Sequence, residues 1–339
     1  MDRNGEQIEK FLKEVQERVD PAMEGMISRH SGERFKEEVN YFVKMGGKRL
    51  RPALVFLSAD VLGGGKENDC LHSAAAVEIL HNYTLLVDDI IDNSETRRGN
   101  PTVWKKWGAV ATECLGMHYI ASVFRVAAYV SLPSQVSDVL AETLQVIADG
   151  EMIDILQERV QRNDEPFIKD HRYKEVSEND ALEMMSKKTA ELLKNSCHIG
   201  GLCAEGGEEQ LERLKEYGYY LGMAFQIQDD TLDIFGEEKK FGKKIGKDIE
   251  ERKGGNMIIL FASQETGGEL EEIMAKDSIA NEDIKRAIEI IKRTKARERA
   301  ERLGKHYAEK AKDSLDKLPE NEQRDMMHNM IEYLLKREK

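Results

Sequence analysis

"LHSAAAVEILHNYTLLVDDIID" runs from Leu71 to Asp92, and "NSETRRGNPTVW" continues it from Asn93 to Trp104. The apolar residues of the first part recur at helical spacing, so Leu71 to Ile91 reads as one long helix. Residues three, four or seven positions apart share a helix face. His81, Thr84, Asp88 and Asp92 therefore line one stripe, with Asp89 just beside it. An apolar helix that ends in carboxylates has one bland explanation, a solvated acidic end. A second copy argues against it. "FQIQDDTLDIFG", Phe225 to Gly236, repeats the Asp-Asp-x-x-Asp spacing at the end of another candidate helix, Leu211 to Phe235. There Gln226, Asp229, Asp230 and Asp233 share a stripe. Two such ends facing each other crowd like charges together, which is unfavourable unless cations stand between them. Carboxylate oxygens suit Mg²⁺, which often bridges protein carboxylates to substrate phosphates.

The rest of the chain supports helices throughout. Of 339 residues, 40% are hydrophobic and 34% charged, aromatics are only 6%, and there are six prolines. Ala, Leu, Glu, Lys, Ile and Met are prominent, which favours helix over sheet. Breaks fall at glycine or proline clusters such as Gly63-Gly64-Gly65, Gly206-Gly207 and Gly267-Gly268. None is long enough for an interdomain linker. The expectation is all-α: a single domain over residues 1–339, a bundle of about ten or more helices around a central cavity. Near the C-terminus Ile284, Ile288 and Ile291 form one stripe, and Ala296, Ala300, Leu303 and Tyr307 a second.

A net charge of −13 argues against nucleic acid as a partner, since phosphates need a basic surface. Cys70, Cys114, Cys197 and Cys203 form no CxxC pair, which fits a reduced, cytoplasmic protein. "MDRNGEQIEKFLKEVQERVD" reads as a charged amphipathic helix, neither signal peptide nor membrane span. The longest apolar stretch, Met117 to Leu132, is interrupted by His118 and Arg125, so no transmembrane segment is expected.

Basic elements fix the sign of the ligand. "GGKRLRP" places Lys48, Arg49 and Arg51 beside Gly46-Gly47. Arg97-Arg98 follows the first aspartate cluster. "KKTA" supplies Lys187, Lys188 and Thr189, and "GKKIGKDIEERK" supplies Lys243, Lys244, Lys247 and Lys253. Singly, each is an ordinary surface charge. Beside two metal-type carboxylate clusters, they describe a diphosphate site: metals bridge some oxygens while Arg and Lys hold the others.

With GGKRLRP (46–52), DDIIDNSETRRGNPT (88–102), Lys188-Thr189, FQxxDDxLD (225–233) and GKKIGKDI (242–249) in this order, the chain resembles the trans-isoprenyl diphosphate synthases, the farnesyl and geranylgeranyl diphosphate synthase family. The resemblance covers about residues 40 to 260. It implies a ring of long helices around the cavity, a homodimer, and condensation of isopentenyl diphosphate with allylic diphosphates (dimethylallyl, geranyl or farnesyl). It implies Mg²⁺, about three ions per site. Asp88, Asp92 and Asp229 are then metal ligands, with Asp89, Asp230 and Asp233 close by or behind them. Arg97, Lys188, Lys244 and Lys253 hold the allylic diphosphate, with Lys243 competing with Lys244. Gly47, Lys48, Arg51, His81 and Arg98 receive isopentenyl diphosphate. Lys188, Thr189 and Gln226 border the allylic cation formed when the C–O bond breaks, and the departing diphosphate is the plausible base.

Two positions depart from the family pattern. Gly116-Met117 stands where Gly-Asp is usual, and "KGGN" (253–256) replaces the Lys-x-Thr of bacterial members, nearer an archaeal form. For product length, the resemblance points to Tyr83, five residues before Asp88 and so about 7–8 Å along the helix. An aromatic here goes with C15 to C20, and the small Thr84 beside it moves the expectation to geranylgeranyl diphosphate, C20. Leu80 closes the floor deeper, Ala74-Ala75-Ala76 leaves room below, and Met117 is a yielding wall. Farnesyl (C15) or geranylfarnesyl (C25) diphosphate are the alternatives. A class I terpene cyclase fits less well, having no use for GGKRLRP. A non-catalytic partner subunit fits less well because all six aspartates are present.

Overall fold

The computed structural model describes residues 3–159, 162–236, 245–276 and 278–336. Helices dominate it: α1 (Arg3–Ser28), α2 (Lys36–Lys44), α3 (Leu50–Val61), α4 (Glu67–Ile91), α5 (Val103–Trp107), α6 (Ala109–Ala127), α7 (Pro133–Gln157), α8 (Pro166–His171), α9 (Glu178–Met185), α10 (Glu191–Cys203) and α11 (Glu208–Phe235). Further helices cover Met257–Ser263, Asn281–Lys292, Ala296–Leu315 and Glu322–Leu335. Among the described residues the only sheet is a two-stranded antiparallel hairpin, β1 (Thr96–Arg97) with β2 (Asn100–Pro101). No helix among them is long and apolar enough to cross a membrane.

The two aspartate-bearing helices start a turn or so earlier than apolar periodicity suggests. Lys66 is the extended residue before α4, and Glu67 and Asp69 occupy its first turn. Glu208 and Glu209 open α11. Acidic side chains suit the positive end of the helix dipole, but carry no apolar signal to mark a boundary.

The chain divides into two compact units: residues 1–144, 192–218 and 312–333 form one, and residues 145–191, 219–311 and 334–339 the other. In the first unit α4 packs against α1, α3 and α6. Its Ala74, Ala75, Ala76, Val77, Ile79 and Leu80 are all fully buried. The second unit has its own core. Met184, Met185, Ile227, Ile234, Ile249 and the run Met257 to Ala262 meet Ile284, Ile291, Ala296 and Ala300 there. Ile288, Leu303 and Tyr307 pack at its edge. Both expected C-terminal stripes thus face apolar packing.

Candidate active site

In the first unit, Asp88 and Asp92 are half-buried at the end of α4, while Asp89 is only 1% exposed. The tight hairpin that follows explains the Arg-Arg-Gly sequence. Arg98 and Gly99 form its two-residue turn, with φ of 53° and 75°. Two positive φ values give the mirror-type turn whose twist matches antiparallel strands. Thr102 Oγ1 and Trp104 Nε1 both donate to the Ser94 carbonyl at 2.7 Å, tying the hairpin down. Arg97 turns back to α4: its Nη2 donates to Asp88 Oδ2 at 2.9 Å and its Nε to Asp89 Oδ1 at 2.8 Å. The neighbouring Arg98 donates instead to the Gly46 carbonyl. Adjacent arginines therefore serve different neighbours because the turn falls between them.

Gly46 to Arg51 lead into α3. Gly46 and Gly47 have φ of 72° and 146°, and a Cβ on Gly47 would stand 2.9 Å from Arg49 Nη1 and 3.0 Å from Arg98 Cζ. Arg51 Nη1 lies 3.0 Å from His81 Nε2. A guanidinium only donates, so Nε2 accepts and the imidazole proton resides on Nδ1. Burial first, then Arg51 and its neighbouring arginines, hold the His81 pKa well below its usual 6.5. Lys48 is exposed and stands 5.7 Å from the ring centre of Tyr333.

Of the residues expected to set product length, Leu80 is fully buried, and Tyr83 and Thr84 are half-buried. The Thr84 hydroxyl donates to the His81 carbonyl at 2.9 Å. Helix α6 meets Tyr83 through Gly116, where a Cβ would come within 3.1 Å of the ring. Met117, one residue round the helix, is 68% exposed. The structure therefore does not bring Met117 to Tyr83: α6 turns Gly116 towards α4 and Met117 away from it.

In the second unit, α9 ends in a single wide π-turn, Ser186–Ala190, which carries Lys187, Lys188 and Thr189. Such turns insert a residue into a helix and recur at functional sites. Helix α7 packs directly on it: a Cβ on Gly150 would lie 2.4 Å from the Lys188 nitrogen. Lys188 Nζ reaches Asp154 Oδ2 at 2.7 Å and Glu151 at 2.8 Å. Lys253 Nζ reaches the same Asp154 oxygen at 2.9 Å and Glu158 at 3.2 Å. Burial opposes the Asp154 charge, but Lys188 and Lys253 outweigh it and hold its carboxyl well below the usual range. Two ammonium groups are thereby fixed on one carboxylate oxygen.

A relay runs from the π-turn to the second aspartate cluster. Thr189 Oγ1 donates to Gln226 Oε1 at 2.7 Å, and Gln226 Nε2 donates to Asp230 Oδ1 at 2.9 Å. Asp230 Oδ2 accepts the Met257 backbone N–H at 2.7 Å. Asp233 accepts the N–H groups of Lys247 and Asp248, each at 3.2 Å. Asp230 and Asp233 are buried and shaping the chain, whereas Asp229 is half-buried. Burial first, then Asp248, pushes the pKa of both Asp230 and Asp233 well up. Lys243 and Lys244 lie outside the described residues.

Sequence reasoning passed over Gly150, Glu151, Asp154 and Glu158. The available signal was an acidic stripe at three- and four-residue spacing on an otherwise apolar helix, with a glycine in its middle. Arg49 carries no role in the motif reading, because nothing in GGKRLRP distinguishes its side chain from those of Lys48 and Arg51.

Among the described residues no three acidic, His or Cys side chains converge closely enough to hold a metal ion. The donor set still fits Mg²⁺, which takes one or two protein carboxylates and completes its shell with substrate oxygens and water.

The polyprenyl synthetase family model matches residues 32–291. A geranylgeranyl diphosphate synthase of Methanosarcina mazei is 31% identical over 96% of this chain and 97% of its own. One from Saccharolobus solfataricus is 36% identical over 81% of each chain. The crystal structure of geranylgeranyl pyrophosphate synthetase from Pyrococcus horikoshii superposes with a TM-score of 0.84 at 26% identity, covering 98% of this chain and 99% of that one. A relative with a longer product also matches, the geranylfarnesyl diphosphate synthase of Natronomonas pharaonis, at 28% identity over 98% of this chain and 99% of its own. A prenyl-synthase helical fold, with Arg97 on the first aspartate cluster and Lys188 and Lys253 on Asp154, agrees with these matches: the chain belongs to the polyprenyl synthetase family and is a trans-prenyltransferase that uses isoprenyl diphosphates.

Proposed function

We propose that this prenyltransferase condenses isopentenyl diphosphate with allylic diphosphates, requires Mg²⁺, and makes geranylgeranyl diphosphate, C20. The observation that carries this is the pairing of cations with carboxylates in both units: Arg97 on Asp88 and Asp89, and Lys188 and Lys253 on Asp154. Asp88, Asp92 and Asp229 are the ligands for Mg²⁺, which when bound neutralises the leaving diphosphate. Asp89, Asp230 and Asp233 support them from behind. Arg97, Lys188 and Lys253 bind the allylic diphosphate. Gly47, Lys48, Arg51, His81 and Arg98 bind isopentenyl diphosphate. Thr189 donates its O–H as a hydrogen bond to Gln226 Oε1, which leaves the hydroxyl lone pairs for the allylic cation.

The C20 product is supported by Tyr83, held between its own helix and Gly116, and by the likeness to the geranylgeranyl diphosphate synthases of Methanosarcina mazei and Saccharolobus solfataricus. Homodimer formation is supported by α6, whose exposed Val110, Met117 and Phe124 repeat every seven residues along one face. The chain is taken to act as one helical domain in the cytoplasm. Incubation with isopentenyl diphosphate, each allylic primer and Mg²⁺, followed by chromatography of dephosphorylated products, tests the assignment. An elongated C20 diphosphate supports it. A released hydrocarbon points to a cyclase, and no turnover by the chain alone points to a partner subunit. A dominant C15 or C25 product overturns the length alone.

A further inference from the structure

Arg49 lies in the middle of GGKRLRP, yet its side chain faces the interior: the residue is 1% exposed. Its φ is +52°, in the left-handed region that favours glycine. A bulky side chain there is disfavoured locally, so something else holds it in place. Four bonds account for that. Nε donates to Asp20 Oδ1 of α1 at 2.5 Å, and Nη1 to Glu78 Oε1 of α4 at 2.9 Å. Nη1 also donates to the Gly46 carbonyl and Nη2 to the Val43 carbonyl, each at 3.1 Å. The guanidinium fork thus ties α1 and α4 to the backbone just before Lys48.

The same fork sets the floor under Gly47. A Cβ on Gly47 would meet Arg49 Nη1 and Arg98 Cζ at 2.9 and 3.0 Å, so the two guanidiniums pack beneath that glycine. Both also donate to the Gly46 carbonyl. Stacked like charges repel unless compensated, and the carboxylates of Asp20 and Glu78 supply the compensation. Downstream, Arg49 is the residue before α3, whose first turn carries Arg51 towards His81. Gly47, Lys48, Arg51 and Arg98 are all within two residues of Arg49 or in packing reach of its side chain.

We propose that Arg49 is the positioning residue of the isopentenyl diphosphate site: it touches no substrate, but fixes the loop that presents Lys48, Arg51 and Arg98 to it. This rests on the proposed assignment of that site. Lysine cannot replace it, because one ammonium cannot reach two carboxylates and two carbonyls in the geometry of a planar fork.

The test is binding of isopentenyl diphosphate alone, measured by titration calorimetry without allylic substrate, so that no turnover intervenes. The Arg49→Met/Glu78→Gln double variant removes both buried charges together, and Arg49→Lys retains the charge in case the double variant does not fold. The expected result is a Kd for isopentenyl diphosphate raised at least about tenfold in the double variant and about fivefold in Arg49→Lys, with the KM for the allylic substrate within about twofold of wild type. An unchanged Kd in either folded variant overturns the proposal, as does an equal rise in the allylic KM. Failure of the wild-type protein to bind isopentenyl diphosphate would instead refute the site assignment.

Discussion

Thr189 Oγ1 and Gln226 Oε1 are joined by a 2.7 Å hydrogen bond, and the direction of that bond is fixed from behind. Gln226 spends an amide N–H on Asp230, so its oxygen faces Thr189. Asp230 is itself anchored by the Met257 N–H. The buried aspartate of the second cluster thus orients an oxygen pair two side chains away. Thr189→Val keeps the shape and removes the hydroxyl. It is expected to lower kcat about tenfold while changing unfolding free energy by no more than about 1 kcal/mol. Steady-state kinetics beside denaturant unfolding check this, and an unaltered kcat would remove Thr189 from the chemistry.

Asp154 offers a cleaner separation of binding and stability. It is buried and joins two lysines, so Asp154→Asn removes the carboxylate they share and leaves Lys188 on Glu151 and Lys253 on Glu158. A loss of about 2 kcal/mol is expected, the scale of a charge-assisted hydrogen bond, with a raised KM for the allylic substrate. Its carboxyl is held below the ordinary range. Between that depressed value and about 3.9 the unfolded chain binds a proton that the folded chain does not, so wild-type stability falls on acidification through this window. Acid melts of the variant should lack that share of the fall. Identical acid sensitivity in both proteins would count against the ion pair.

His81 acts in the neighbouring pH range with the same sign. Its pKa is held below 6.5 in the folded chain. Below pH ~6.5 the unfolded imidazole binds a proton that the folded one refuses, so stability falls as pH drops and is fully recovered above that value. His81→Gln keeps an acceptor for Arg51 and should lessen the fall in melting temperature between about pH 7 and 5, leaving the share due to His198, whose pKa burial lowers to about 4. A wild-type melting temperature that rises on acidification across this range would contradict a neutral His81.

Tyr83→Ala is expected to shift products from C20 towards C25 and beyond, with kcat/KM for short primers within about threefold of wild type. Truncation removes a wall without touching a diphosphate contact. Gly116→Ala, which presses on the same ring, should move the distribution without lengthening it as far. If chromatography finds the Tyr83→Ala products unchanged, the ring is only helix packing.

Much of this was legible in the sequence, for a physical reason. Helical periodicity depends on local spacing, so α4 and α11 and the stripes holding Asp88, Asp92, Gln226 and Asp229 follow from residue order alone. Arg97 and Arg98 could not be separated that way. Their divergence depends on a turn at Arg98-Gly99 whose backbone the sequence leaves open. Asp154 was missed because its partners, Lys188 and Lys253, are distant in the chain and only burial makes a carboxylate between them necessary. Met117 was placed by motif position, but one step along a helix is about 100° of rotation, and Gly116 takes the inward place.

The central claim is metal-dependent condensation at these carboxylates. The most direct measurement is product formation from isopentenyl diphosphate and farnesyl diphosphate by wild type, Asp88→Ala and Asp229→Ala, with Mg²⁺ and with chelator, alongside a thermal melt of each protein. The expected result is a C20 diphosphate from wild type with Mg²⁺ only, and a kcat at least about a hundredfold lower in each variant, with each variant still melting cooperatively and Asp88→Ala somewhat below wild type because it loses the Arg97 ion pair. Near-normal turnover by either folded variant, or by wild type in chelator, would contradict the account.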